Sequence, residues 1–355
     1  MTIRKFLLFS GFYLFPLLIL KAQDPSFSQV ENTRYYAHSS DTYLRGGLEL
    51  QAAFRNEWNR IPGAFNTGFL SVFYQHEKMR TGYGVKYMAD REGVGALKTE
   101  DIKLATRFNI LPYVYNHPRA WYISLEAGLI RKTINWDKLV FSDQLDPVWG
   151  IYQSSSQLPP EQLNTAFFDA SFSTTYRNKL RINKTNYPFS VSIGWRHMAF
   201  DKDESLLKIG TRLPGIFTTT LSATIAPSKF YRLPLLKPIL RYEYQANLKR
   251  IIYGSLIGIV NDERLETVYT GLYYSSQYNP FSPFNTNGLV FMIGYEKVMG
   301  RTLLSLAYSY DFNTGGLGAA GTSGTHEITL NVQISSANKG FSQPSSIFQK
   351  CPEGK

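Results

Sequence analysis

Cysteine is almost missing from this chain: its 355 residues include one, Cys351, so no internal disulfide framework holds the fold together. Long apolar runs are missing too. Beyond the N-terminal segment no stretch approaches the roughly 18 uninterrupted apolar residues of a membrane-crossing helix, which excludes helical spanning. Histidines are few and dispersed. His38, His76, His117, His197 and His326 have no i,i+4 partner and no Cys-x-x-Cys nearby, so their spacing gives a metal site no support. A Gly-x-Ser-x-Gly nucleophile elbow is absent. Gly316-Leu317-Gly318-Ala319-Ala320-Gly321 has the spacing of a dinucleotide fingerprint, but that motif works only between a strand and a helix N-terminus. Here Thr322-Ser323-Gly324 and another strand pattern follow, so the segment reads as a loop. The net charge of +11 is scattered rather than gathered into a patch, which argues against nucleic-acid binding. No cofactor, metal or nucleic-acid partner is expected.

What the chain does have is an export signal and a repeated alternation. Arg4 and Lys5 form a basic start, Phe6 to Leu20 an apolar stretch broken by Pro16, and Leu20-Lys21-Ala22 a cleavage site. Residues 1–22 are therefore read as a signal peptide with a mature start near Gln23. Loss of Arg4, Lys5 and Lys21 takes the net charge from +11 to +8. Near the C-terminus Ile328, Leu330, Val332 and Ile334 interleave with Glu327, Thr329, Asn331 and Gln333. Successive strand side chains face opposite ways, so this segment has one oily and one wet face. Such segments recur at about fourteen places, near 47–58, 65–76, 81–90, 100–111, 119–134, 166–178, 188–199, 216–226, 236–246, 250–260, 266–276, 286–297, 301–312 and 325–335. Behind an export signal, and with 24 Tyr and 24 Phe available for interfacial girdles, the pattern predicts an all-β fold: a transmembrane antiparallel β-barrel of outer-membrane type with about 14 strands.

Connection lengths agree in part. The links 91–99, 135–165, 200–215, 277–285 and 313–324, after odd strands, are long; 77–80, 261–265 and 298–300, after even strands, are short. That parity puts long loops outside and short turns in the periplasm. The links 247–249, 179–187 and 227–235 break it. Strands 65–76, 250–260 and 286–297 are apolar on both faces, which leaves their orientation open. One barrel domain, 47–335, is expected between a polar periplasmic leader, 23–46, and a C-terminal tail, 336–355.

The carboxylates Glu49, Glu126, Asp169 and Glu327 fall on wet faces, as do Arg55, Lys103, Arg107, Arg177 and Arg196. Paired carboxylates can serve acid–base chemistry. Charge balance is the plainer reading, with ion pairs holding a narrow interior shut. The long segment Asp137 to Thr165 carries Phe141, Asp143, Asp146, Trp149 and Tyr152. It reads either as a partner-binding loop on a rigid scaffold or as a lid folded into the barrel mouth.

Three stretches resemble the PorP/SprF family of outer-membrane proteins tied to type IX secretion. They are Gln23-Asp24-Pro25-Ser26-Phe27-Ser28-Gln29 with Tyr35-Tyr36; Phe54-Arg55-Asn56-Glu57-Trp58 through Asp90-Arg91-Glu92-Gly93-Val94-Gly95 to Phe141-Ser142-Asp143-Gln144-Leu145-Asp146-Pro147; and Tyr308-Ser309-Tyr310-Asp311 with Gly324-Thr325-His326-Glu327-Ile328, ending in Cys351-Pro352. The resemblance implies a non-enzymatic barrel in the outer membrane of a Gram-negative bacterium. Its implied partners are the C-terminal domain of a large secreted surface protein such as an adhesin, other secretion components (a periplasmic lipoprotein or ring subunits), and outer-membrane lipid. Contact residues are expected at Phe141, Asp143, Asp146 and Trp149 for a partner outside, or at the leader and Cys351 for one in the periplasm. Three other readings stay open at this stage. One is a pore or hydrophobic-solute transporter gated by 137–165; another is a soluble secreted β-sandwich. The third is an outer-membrane enzyme, for which the sequence offers no recognisable nucleophile–base pair.

Overall fold

In the strand Thr325–Ser335, Glu327, Thr329, Asn331 and Gln333 are buried while Ile328 and Leu330 are exposed. The wet face points inward and the oily face outward, the reverse of a water-soluble core and what a barrel in lipid requires. A computed structural model describes residues 24–44, 46–60, 63–94, 97–111, 119–159, 163–183, 185–198, 213–225, 234–278, 286–314, 321–336 and 347–348. The expected signal peptide, 1–22, and Cys351 both lie outside the described residues.

The strands are β1 (Gly47–Glu57), β2 (Phe65–His76), β3 (Thr81–Glu92), β4 (Leu97–Asn109), β5 (Ala120–Thr133), β6 (Leu145–Asp146), β7 (Gly150–Ile151), β8 (Asn164–Ile182), β9 (Thr185–Arg196), β10 (Ile216–Ala223), β11 (Leu235–Gln245), β12 (Leu248–Asn261), β13 (Glu266–Tyr278), β14 (Thr286–Met299), β15 (Thr302–Asn313) and β16 (Thr325–Ser335). All but β6 and β7 join one antiparallel barrel in which each strand pairs with its sequence neighbours. β1 pairs with β16, from Gly47 opposite Ser335 to Glu57 opposite Thr325, and closes it. Every predicted strand is present. β8 and β9 run on to Ile182 and Thr185, so the link near 179–187 shrinks to a tight turn and that exception to the length parity disappears.

Leu70, Leu104, Leu125 and Leu240 lie on the outer face, between Tyr74, Tyr83 and Trp121 near the short-turn end and Trp195, Phe217 and Tyr244 near the long-loop end. Two aromatic belts flanking an apolar band match the lipid and headgroup layers of a bilayer.

Inside, fourteen strands enclose more space than wall side chains can fill alone. The leader fills it. Residues 24–44, expected as a periplasmic extension, run through the lumen from the long-loop end to the start of β1 and are nearly all buried. Their backbone groups find partners on the wall: Glu327 accepts from the N–H groups of Ser28 and Gln29, and Ser173 Oγ accepts from Ser40 N–H. One turn of helix, α1 (Arg34–Ala37), sits midway. Phe27 and Tyr36 pack on the inward Phe69 of β2, and Tyr35 packs on Phe73.

Charge balance is local and two-layered. Arg107 donates to Glu49 at 2.8 Å with both side chains fully buried, Lys86 meets Glu126 at 3.0 Å, Lys103 meets Asp169 at 2.6 Å and Arg55 meets Glu327 at 3.0 Å. Those pairs join wall to wall, as the wet-face carboxylates predict. Arg177 instead pairs with Asp41 of the leader, and Lys237 with Glu31 at 2.9 Å. Removing one partner of a buried pair strands the other charge, which costs about 3–5 kcal/mol. Arg107→Met should therefore lower stability by that amount in urea unfolding of the detergent-solubilised barrel. Adding Glu49→Leu should recover part of the loss; an Arg107→Met variant as stable as the parent would remove this pair from the account.

Candidate functional site

The long-loop end gathers the chain's exposed features and the beginning of the leader. There the segment between β5 and β8 forms two short 3-10 turns, Trp136–Lys138 and Ser142–Gln144, followed by the β6–β7 hairpin. Its conformation is set by its own polar groups. Asp146 accepts the N–H groups of Val148 and Trp149 at 2.7 and 2.9 Å, an Asx turn that closes the hairpin. Asp143 accepts from Ser155 Oγ and from both Oγ and N–H of Ser156. The Ser156 N–H, foremost among these donors, holds the Asp143 carboxyl below its ordinary value. Phe141 stacks on Trp136 with centroids 4.9 Å apart.

Val148 and Trp149 are 78% and 75% exposed, and Leu145, Ile151, Tyr152 and Leu158 are exposed as well. The hairpin holds these apolar side chains out to solvent. Of the four predicted contact residues among the described ones, Trp149 is presented, whereas Asp143 and Asp146 spend their oxygens on N–H groups and serine hydroxyls of the same loop. Phe141 is half-buried in the loop's own stack.

Beneath the loops lies a cavity of about 420 Å³. Asp24, Pro25 and Ser26 of the leader form part of its wall, together with Arg55, Glu57, Arg196 and Glu243. The leader is fastened here by a histidine that the sequence leaves unassigned. His197 Nε2 is 2.6 Å from Asp24 and its Nδ1 is 2.9 Å from Asp169, which also receives Lys103. Burial lowers the His197 pKa, but the two carboxylates outweigh it and raise the value above that of a free histidine. Burial likewise raises Asp24, and His197 with Arg196 outweighs it, leaving the carboxyl well below its usual range. A second histidine, His38 of the leader, is buried farther along the lumen. It meets Thr220 Oγ1 through Nε2 at 3.0 Å.

At the short-turn end the tail re-enters the barrel. Ile347 and Phe348 are each 1% exposed, and Lys237 Nζ donates to the Ile347 carbonyl at 2.9 Å. Leader and tail together occupy the lumen from both directions. Neither role follows from alternation along a strand, since neither segment is a strand. The sequence signal is indirect and sits in the wall residues they cover.

With that geometry in view, comparison with known proteins gives one family. The model of the family described as type IX secretion system membrane protein PorP/SprF matches residues 19–332. Curated protein sequences give no match. Among solved structures, CdiB from Acinetobacter baumannii aligns at 8% identity with a TM-score of 0.43, over 81% of this chain; the chain spans 60% of that protein's length. The CymD monoaromatic hydrocarbon channel aligns at 10% identity and 0.43, covering 84% of this chain and 90% of that one. The COG4313 outer membrane channel from Pseudomonas putida F1 aligns at 9% and 0.40, covering 88% and 99%. Likeness at this level says nothing of function.

The His197 clasp has a defined pH window. A raised histidine pKa contributes stability that is complete below about pH 6.5 and is lost as pH rises through the raised value; the depressed Asp24 contributes above about pH 4 and is lost on acidification. In a Cys351→Ser background, a cysteine placed at Ser26 should be shielded from maleimide near pH 6. Its labelling, normalised to a free thiol, should climb as pH rises through the raised His197 value. His197→Gln should abolish the step, and a flat profile in the parent would show that the clasp does not hold the leader.

Proposed function

This chain belongs to the PorP/SprF family of type IX secretion system membrane proteins, and from that premise we propose that it is a non-enzymatic docking barrel for a large secreted surface protein, such as an adhesin, which it helps to secrete or to keep at the cell surface. The observation that carries the reading is the β6–β7 hairpin held open by Asp143 and Asp146, with Val148, Trp149 and Tyr152 bare to solvent. Large exposed aromatics are the residue types that anchor protein interfaces, and an apolar cluster left in water marks a surface meant to be covered. A rigid loop on a rigid wall meets its partner with little ordering cost. Long loops face outward in barrels of this kind, so the client docks from outside while secretion components approach the short-turn end.

The rival reading, a pore, finds less support. Leader segments 24–44 and the Ile347–Phe348 pair fill the lumen among the described residues, and paired charges cross it at several heights. The parent chain should be almost silent in planar bilayers at voltages where an open barrel conducts steadily; persistent large conductance would restore the transporter reading.

Docking is tested by affinity purification from outer membranes with mass-spectrometric identification of what co-purifies. The parent chain should bring down a stoichiometric large surface protein. Val148→Ser/Trp149→Ala/Tyr152→Ala should lower its recovery about tenfold or more, in keeping with loss of an aromatic hot spot, and replacing 137–165 by a short Gly-Ser link should abolish it while the barrel still assembles. Undiminished recovery with either variant would take this loop out of the account.

A further inference from the structure

From the short-turn end to beyond mid-height, one side of the inner wall changes character. Over most of the barrel it is polar, but Leu235 and Ile239 of β11, Ile252 and Leu256 of β12, and Tyr269 and Tyr273 of β13 turn apolar side chains inward and form one buried cluster. The barrel hydrogen bonds do not depend on what covers that cluster, because each strand ladder is complete around it. Val30 of the leader covers part of it, and Ile347 and Phe348 cover the rest.

The fit around this pair is specific at three points. The Phe348 ring lies edge-on to Tyr269 with centroids 6.3 Å apart. It rests directly on Gly258: a Cβ at that position would fall 2.4 Å from the ring, so any other residue on β12 would close the slot. Lys237 supplies the polar contact. An ammonium has three donors, and these go to Glu31 and Tyr43 of the leader and to the Ile347 carbonyl, each at 2.9 Å. Two donors thus belong to the permanent plug and the third reads a peptide carbonyl. An apolar slot with a single carbonyl-reading donor recognises a polypeptide rather than a generic apolar solute.

We propose that this slot is a peptide-binding site for an aliphatic residue followed by an aromatic one, occupied in the free protein by the chain's own Ile347-Phe348 and vacated when a partner segment of the same chemistry takes its place. The tail is a tethered competitor. Its local concentration at the slot is on the order of millimolar, so a free peptide of micromolar intrinsic affinity must overcome a handicap of about a hundredfold or more. The site therefore answers to a partner held nearby at high effective concentration and ignores dilute peptides. It faces the short-turn end and is independent of whether the β6–β7 hairpin docks a client at the other.

The test uses the full-length chain in detergent and a fluorescent peptide Ser-Ser-Ile-Phe-Gln-Lys, with barrel folding checked by gel mobility before and after heating. Phe348→Ala should bind the peptide in the micromolar range, and the parent at least about tenfold more weakly. Gly258→Val added to Phe348→Ala should abolish binding, as should Ser-Ser-Ile-Ala-Gln-Lys as the probe. A folded Phe348→Ala chain that fails to bind, or one that binds equally well with Gly258→Val present, overturns the proposal. Should Phe348→Ala not fold, the parent chain labelled at its single cysteine, Cys351, gives a second measurement. Excess Ile-Phe peptide should free the tail and lower the label's anisotropy while the Ile-Ala peptide leaves it unchanged; no difference between the two peptides overturns the proposal as well.

Discussion

A fourteen-strand wall that carries buried charges has to be given partners for them, and that constraint governs the interior. Wall-to-wall pairs such as Glu49–Arg107 and Glu126–Lys86 settle part of the balance. Other wall cations, Arg177 and Lys237 among them, are answered by Asp41 and Glu31 of the leader. Leader and wall are thus one electrostatic unit. Taking the leader away would leave cations stranded in a medium where an unpaired charge costs several kcal/mol. The leader also meets apolar needs: Phe27, Tyr35 and Tyr36 cover Phe69 and Phe73, which would otherwise face a wet lumen.

That pairing explains what could be read in the sequence and what could not. All fourteen barrel strands can be located, and where a segment alternates its facing is legible as well, because alternation is local: the two faces of β16 can be assigned from its residues alone. The strands that resist reading are β2, β12 and β14. Their inward residues Phe69, Phe73, Ile252, Leu256, Val290 and Met292 are apolar because another segment of the same chain covers them. A pattern that looks ambiguous within one strand is therefore a footprint of a distant contact. Local periodicity records the presence of that contact and cannot say which residues make it. His197 illustrates the same limit: its partners Asp24 and Asp169 are far away in sequence, and spacing rules designed for metals pass over it.

At the candidate site the sequence singles out the right loop for a partly different reason. Trp149 is presented as an exposed aromatic, whereas Asp143 and Asp146 hold the backbone that presents it. The Asp-x-x-Asp-Pro segment at 143–147 carries turn chemistry and contact chemistry in the same letters. Only the direction of the carboxylate separates them, and direction is a product of the folded loop.

The course of the leader also dictates an order of events. It enters at the long-loop end and leaves at the short-turn end directly into β1, and β1 is the strand whose pairing with β16 shuts the barrel. Once that seam is formed, the leader cannot be drawn in past a ring of interlocked side chains. It has to be lying against the half-built wall beforehand, so residues 24–44 serve as the mandrel on which the last strand closes.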